Sequence, residues 1–119
     1  MRIAICDADF SSVKVLKQMI DNCIKGYWDF EFYTYSSAEE LVDAYVKRGV
    51  RFDIIFLDVK FKKMSGIEAA RIIRGIDNDA LIIFVTDFLG SVFEGYEVKA
   101  FRYIIKPYSQ EKIKKELGM

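Results

Sequence analysis

The chain contains no histidine. That excludes Ser-His and Cys-His nucleophile pairs, an imidazole general base and any His-containing zinc site, leaving chemistry to carboxylates, hydroxyls, lysines and a borrowed metal. Proline occurs once, as Pro107, and cysteine twice, as Cys6 and Cys23. Both cysteines sit in apolar sequence and read as small buried hydrophobes rather than redox or metal groups. No apolar run approaches the roughly 20 residues that span a bilayer. The opening MRIAICDAD brings in acids before a signal cleavage site could follow, so a cytoplasmic protein is expected. Charge of one sign is not in excess either: 18 basic residues stand against 18 acidic ones. A neutral domain gains little from counterion release, and this segment is not expected to bind nucleic acid by itself.

What is present reads as one globular domain. With 119 residues, 52% of them apolar and 30% charged, the chain is long enough to bury a real core. Five short apolar runs alternate with amphipathic stretches. RIAIC at 2–6 predicts a first strand. Val13, Leu16, Met19, Ile20 and Cys23 recur at helical spacing, predicting a helix over 11–24. FEFYTY at 30–35 alternates as a partly exposed strand does. A helix should follow from about Ser37, capped by Ser36 or Ser37, with Leu41, Val42, Tyr45 and Val46 facing inward and Gly49 stopping it. DIIFL at 53–57 and LIIFV at 81–85 are continuous apolar runs, expected of strands buried on both faces. Between them Ser65-Gly66 opens a helix to Arg74, with Ile67, Ala70 and Ile73 inward. A short helix over 88–98, a fifth strand FRYII at 101–105 and a charged helix over 109–117 complete the reading.

Strict alternation of strands and helices implies right-handed crossovers and a parallel sheet. The expected fold is an α/β, flavodoxin-like, doubly wound five-stranded sheet of order 2-1-3-4-5, with helices on both faces. In that arrangement a site forms beyond the carboxyl ends of the strands. The residues that follow the strands are polar: Asp7 and Asp9 after the first, Asp58 after the third, Thr86 and Asp87 after the fourth, Lys106-Pro107 after the fifth. Singly each could be an ordinary loop residue, and Asp9 could cap the first helix; together they point to a site shared between strand ends. A flavin carrier of the same topology would need a glycine-containing phosphate loop after strand 1, which DADFSS does not supply.

The segments IAICDAD, IIFLDVKFKKMSGIEAARIIR, IIFVTDF and AFRYIIKP resemble the receiver domain of two-component response regulators, over essentially the whole chain. VFEGYEVKAFRYIIKP is most similar to receivers that precede LytTR-type DNA-binding domains. The resemblance implies a CheY-like fold and a phosphoprotein that accepts a phosphoryl group from a sensor histidine kinase without being a turnover enzyme. It implies Asp58 as phosphoacceptor, with Thr86 and Lys106 contacting the phosphoryl oxygens. Asp7, Asp58 and the backbone carbonyl of Lys60 would hold Mg²⁺, with Asp9 a further candidate ligand. Thr86 and Tyr103 would form the switch, and Pro107 matches a proline whose preceding bond is commonly cis. The chain ends soon after its last helix begins, so 1–119 is expected to be the N-terminal part of a longer transcription regulator. DNA contact would fall to an output domain outside this sequence.

Three positions depart from the family pattern. Ala8 stands where a second acid normally binds the metal, which leaves two readings: weakened Mg²⁺ binding with phosphorylation retained, or a degenerate receiver serving as a phosphorylation-independent dimerisation or interaction module. Lys62 replaces a common proline and, with Lys60 and Lys63, makes the loop after Asp58 basic. Asp87 occupies a position that is often small. Aromatic residues Phe93, Tyr96, Phe101 and Tyr103 are expected mostly in the core. The face made by the fourth strand, the 88–98 helix and the fifth strand is also a candidate homodimer surface.

Overall fold

In a parallel sheet covered on both sides, residues i and i+2 of a strand face one helical layer and i+1 faces the other. The computed structural model, which describes residues 1–87 and 96–119, has that arrangement. In chain order the elements are β1 (Arg2–Cys6), α1 (Phe10–Ile24), β2 (Glu31–Tyr35), α2 (Ala38–Val46), β3 (Ile54–Leu57), α3 (Gly66–Arg74), β4 (Leu81–Thr86), β5 (Arg102–Ile105) and α4 (Gln110–Glu116). All neighbouring strands are parallel and the order is β2-β1-β3-β4-β5, as expected from the alternation. The expected 88–98 helix falls largely outside the described residues, as does Phe93.

Each central strand divides its side chains between two cores. Ala4, Cys6, Ile55, Leu57, Ile82 and Phe84 pack against α2 and α3. Ile3, Ile5, Phe56, Ile83, Val85 and Ile104 pack against α1 and Ile113 of α4. The residues between are fully or nearly fully buried, which is why the sequence of β3 and β4 has no polar alternation. β2 lies at the sheet edge and keeps Glu31 and Thr34 exposed. Both cysteines are buried free thiols; burial pushes the Cys6 thiol well above the ordinary range, so it is an inert part of the core.

Helix starts are set by polar caps. Ser37, Ser65 and Ser109 each accept a hydrogen bond from the backbone N–H three residues on, satisfying donors at the first turn. α2 ends at Val46, and the chain turns away through Gly49, whose φ of 65° is left-handed. Several side chains lie farther out than their sequence pattern implies. Val46 is exposed because α2 stops there, one turn beyond the small cluster of Ala38, Val42 and Ala69. Leu81 is partly exposed at the open start of β4. Tyr96, at 85% exposure, is not a core residue, and Phe101 is also exposed, lying just before edge strand β5 with the Arg102 guanidinium 4.3 Å from its ring centroid.

Candidate functional site

The sheet ladder carries the chain past the ends of β1, β3 and β5 and so fixes the backbone of three polar residues. Asp7 N–H donates to the Tyr35 carbonyl (3.1 Å), Asp58 N–H to the Cys6 carbonyl (3.0 Å), and Lys106 N–H to the Thr86 carbonyl (2.9 Å). From these anchors the side chains converge. The Lys106 ammonium donates to Asp7 Oδ2 at 2.7 Å and to Asp58 Oδ2 at 3.1 Å. One cation therefore bridges carboxylates that are 51 residues apart in sequence, with all three side chains largely buried.

The remaining carboxylate oxygens are held locally. Asp58 Oδ1 accepts from Val59 N–H at 2.7 Å and more weakly from Lys60 N–H at 3.4 Å, while Asp7 Oδ1 accepts from Asp9 N–H at 2.9 Å. Each acid thus has one oxygen tied to its own loop and the other turned to Lys106. Burial alone would lower the lysine pKa. The hydrogen bond to Asp7 and the charges of Asp58 and Asp7 outweigh it, so Lys106 stays protonated to a higher pH than an ordinary lysine.

Asp9 does not join this group. Its carboxylate accepts from Ser12 Oγ and Ser11 N–H (both 3.0 Å), capping α1, and the Ser12 bond together with that backbone bond holds its pKa below the usual carboxylate range. Ala8 is exposed and brings no oxygen. Among the described residues no three His, Cys, Asp or Glu side chains are close enough to hold a metal ion together. Two carboxylates do converge on a cationic group, and Mg²⁺ is commonly held by one or two carboxylates with waters in its other positions. The donor set fits that ion at reduced carboxylate count.

Thr86 is fully buried at the end of β4. Tyr103 is half-buried on β5, its ring tilted against Phe84 with centroids 5.6 Å apart. The Lys106–Pro107 bond is cis.

Some features of the site have no signature in the sequence. Gly66 starts α3 directly over the backbone of Asp58, where a Cβ would lie 1.9 Å from the Asp58 carbonyl oxygen, so only glycine fits. In the loop between, Met64 N–H donates to Glu39 Oε1 of α2 (3.0 Å), which secures the segment after Asp58. Lys60 reaches across to Asp87, Nζ to Oδ1 3.8 Å. At the opposite end of the sheet, the Tyr45 hydroxyl donates to Asp77 Oδ2 (3.0 Å) and accepts from Phe52 N–H (3.3 Å). Arg74 there donates to the carbonyls of Val98 (2.8 Å) and Lys99 (3.0 Å), tying α3 to the segment before β5. Spacing alone cannot show which distant partners these side chains meet.

Known proteins place this arrangement. The chain is 36% identical over 63 residues to the sensory transduction protein LytT of Bacillus cereus, covering 53% of this chain and 26% of that one. It is 35% identical over 63 residues to the transcriptional regulatory protein YpdB of Escherichia coli K12, again covering 53% of this chain and 26% of the relative. These matches span about a quarter of the relatives' length. The response regulatory domain of MrkE from Klebsiella pneumoniae superposes with a TM-score of 0.86 at 24% identity, over 99% of this chain and 93% of that domain, which shows the shared fold. The model of the response regulator receiver domain matches residues 3–118. With that match spanning nearly the whole sequence, and the strand order and polar rim already described, the chain belongs to the response regulator receiver domain family of two-component systems.

Proposed function

We propose that this receiver accepts a phosphoryl group on Asp58 from a sensor histidine kinase and passes the change to an attached output domain, transcriptional by analogy with the LytT- and YpdB-like relatives. The observation that carries the reading is the Lys106 ammonium bridging Asp7 Oδ2 and Asp58 Oδ2 at 2.7 and 3.1 Å. A carboxylate that attacks a phosphoryl group must overcome charge repulsion, and fixed cations at that point lower the barrier most. Asp58 Oδ2 forms the new O–P bond as the P–N bond to the kinase imidazole breaks, and the electron pair stays on that nitrogen. The bonds from Val59 and Lys60 N–H to Oδ1 hold the carboxylate in orientation. Lys106, kept protonated, shifts from Oδ2 to the phosphoryl oxygens now joined to it and meets their charge as a point donor.

Receiver domains generally bind Mg²⁺ at this acidic pocket. Asp7, Asp58 and the Lys60 carbonyl would hold it here, and when bound it neutralises the oxygens of the transferring group. Asp9 is committed to the α1 cap, and Ala8 supplies no ligand, so binding is weaker than with a full acidic pair. Thr86 donates to the phosphoryl oxygens and Tyr103 packs inward in response, biasing two arrangements of the β4–β5 side of the domain. The exposure of Tyr96 and Phe101 on that side supports a homodimer contact there. We place the protein in the cytoplasm, where the kinase donor resides; no helix among the described residues is long and apolar enough to cross a membrane.

Ala8 also favours a second reading, a receiver that dimerises or binds a partner without phosphate. Incubation with acetyl phosphate and Mg²⁺, followed by intact-mass measurement, separates the two. The first reading expects one added phosphoryl group on the native chain and none on Asp58→Asn. No modification, and no spectral change near Thr86 and Lys106 on adding beryllofluoride, would establish the second.

A further inference from the structure

Lys60 stands two residues beyond Asp58, and Asp87 directly follows Thr86. Continuing the β3–β4 register from Leu57 opposite Phe84 brings Lys60 level with Asp87, and their charged groups meet at 3.8 Å. The site therefore has one ammonium on Asp58, that of Lys106, and a second at its rim that is drawn to a carboxylate. We infer that Lys60 and Asp87 are a charge-balancing pair that sets how readily the site takes a dianionic phosphoryl group. Lys60 cancels the Asp87 carboxylate that would repel the incoming group, and Asp87 in turn restrains the Lys60 ammonium from over-attracting it.

The inference rests on the receiver reading above and concerns the two side chains only; the Lys60 carbonyl is a separate matter. Both side chains are well exposed, at 61% and 68%, so the pair contributes little to stability. Its effect is on the local potential. A unit charge within a Debye length of a dianion is worth about fivefold in a rate or affinity at low salt, and less as salt is added. Neither residue exchanges a proton or a bond with the phosphoryl group; both are positioning residues.

The test compares the native chain with Lys60→Gln, Asp87→Asn and the double variant. Phosphorylation of Asp58 by acetyl phosphate at saturating Mg²⁺ should be about fivefold faster in Asp87→Asn and about fivefold slower in Lys60→Gln. The double variant should return to the native rate, and the spread should narrow as salt rises. Mg²⁺ binding measured by calorimetry without a phosphoryl donor should run in the opposite order, tightest in Lys60→Gln and weakest in Asp87→Asn. Unfolding midpoints in urea should not separate the four proteins. Equal behaviour of all four in both assays, or slower phosphorylation in Asp87→Asn, would overturn the inference. If the native chain takes no phosphate, the receiver reading fails and the inference falls with it, whereas equal rates in four proteins that all take phosphate overturn the inference alone.

Discussion

Replacing Gly66 by alanine would set a methyl group 1.9 Å from the Asp58 carbonyl oxygen, 2.9 Å from its carbon and 3.0 Å from Val59 Cα. The first contact is more than an ångström inside the 3.0 Å limit that real Cβ atoms keep. The obstructing atoms are backbone, and they are held by two backbone bonds, Asp58 N–H to Cys6 O (3.0 Å) and Gly66 N–H to Val59 O (2.8 Å), so no side chain can rotate aside. Overpacking of this kind costs about 1–3 kcal/mol or more. The better helix propensity of alanine returns at most about 1 kcal/mol. A net loss of about 2 kcal/mol is expected, lowering the urea midpoint by roughly 1 M at the denaturant sensitivity usual for a small domain. Ser65→Ala is the calibrating neighbour. It removes the cap bond to Glu68 N–H (3.1 Å) without crowding anything and should cost about 1 kcal/mol. Because relief requires α3 or the Asp58 backbone to shift, Gly66→Ala should also weaken Mg²⁺ binding, whereas Ser65→Ala should not. The close-approach reasoning is refuted if Gly66→Ala unfolds at the native midpoint, or costs less than Ser65→Ala.

Lys106→Met removes the cation between Asp7 and Asp58 and should destabilise the fold by about 1–3 kcal/mol at neutral pH, read from urea unfolding. The pH dependence has a definite sign. The folded-state pKa of Lys106 is raised, so its contribution is complete below the ordinary lysine value of 10.5 and is lost as pH climbs through the raised one. The stability gap between native chain and Lys106→Met should accordingly hold level from neutral pH up to 10.5 and shrink above it. Tyr45→Phe strips a buried hydroxyl from Asp77 and Phe52 N–H and should cost about 1–2 kcal/mol in thermal unfolding, with Mg²⁺ binding at the far end of the sheet unchanged. Ala8→Asp should tighten Mg²⁺ by about tenfold, the worth of one added carboxylate near the ion; calorimetric titration showing no gain would argue that position 8 does not face the metal.

The architecture was legible because it follows from repetition along the chain. Doubly apolar runs at β3 and β4, the helical spacing of Val13, Leu16 and Ile20, and serine caps at 37 and 65 are local signals, and a strict strand–helix alternation leaves few topologies. The rim was legible for the same reason: Asp7, Asp58, Thr86 and Lys106 each follow an apolar run. Local signals misplace residues only where an element ends or a sheet edge opens. Val46 and Leu81 are exposed at element ends, and Tyr96 and Phe101 lie outside the core on one open side. In sequence alone, Asp9 is a candidate helix cap and a further candidate metal ligand. The structure shows its carboxylate bonded to Ser11 and Ser12 as the cap of α1.

Sequence by itself determined the strand order, the two-sided core and the set of polar groups at one edge, because period and alternation dictate which face each residue occupies. Only the tertiary structure decided who meets whom there. Lys106 sits between two acids, Lys60 pairs with Asp87, and Gly66 leaves room for the Asp58 carbonyl. Those are distances of a few ångströms between residues far apart in the chain, and they are set by how the strands and helices stack, which no periodicity along the backbone encodes.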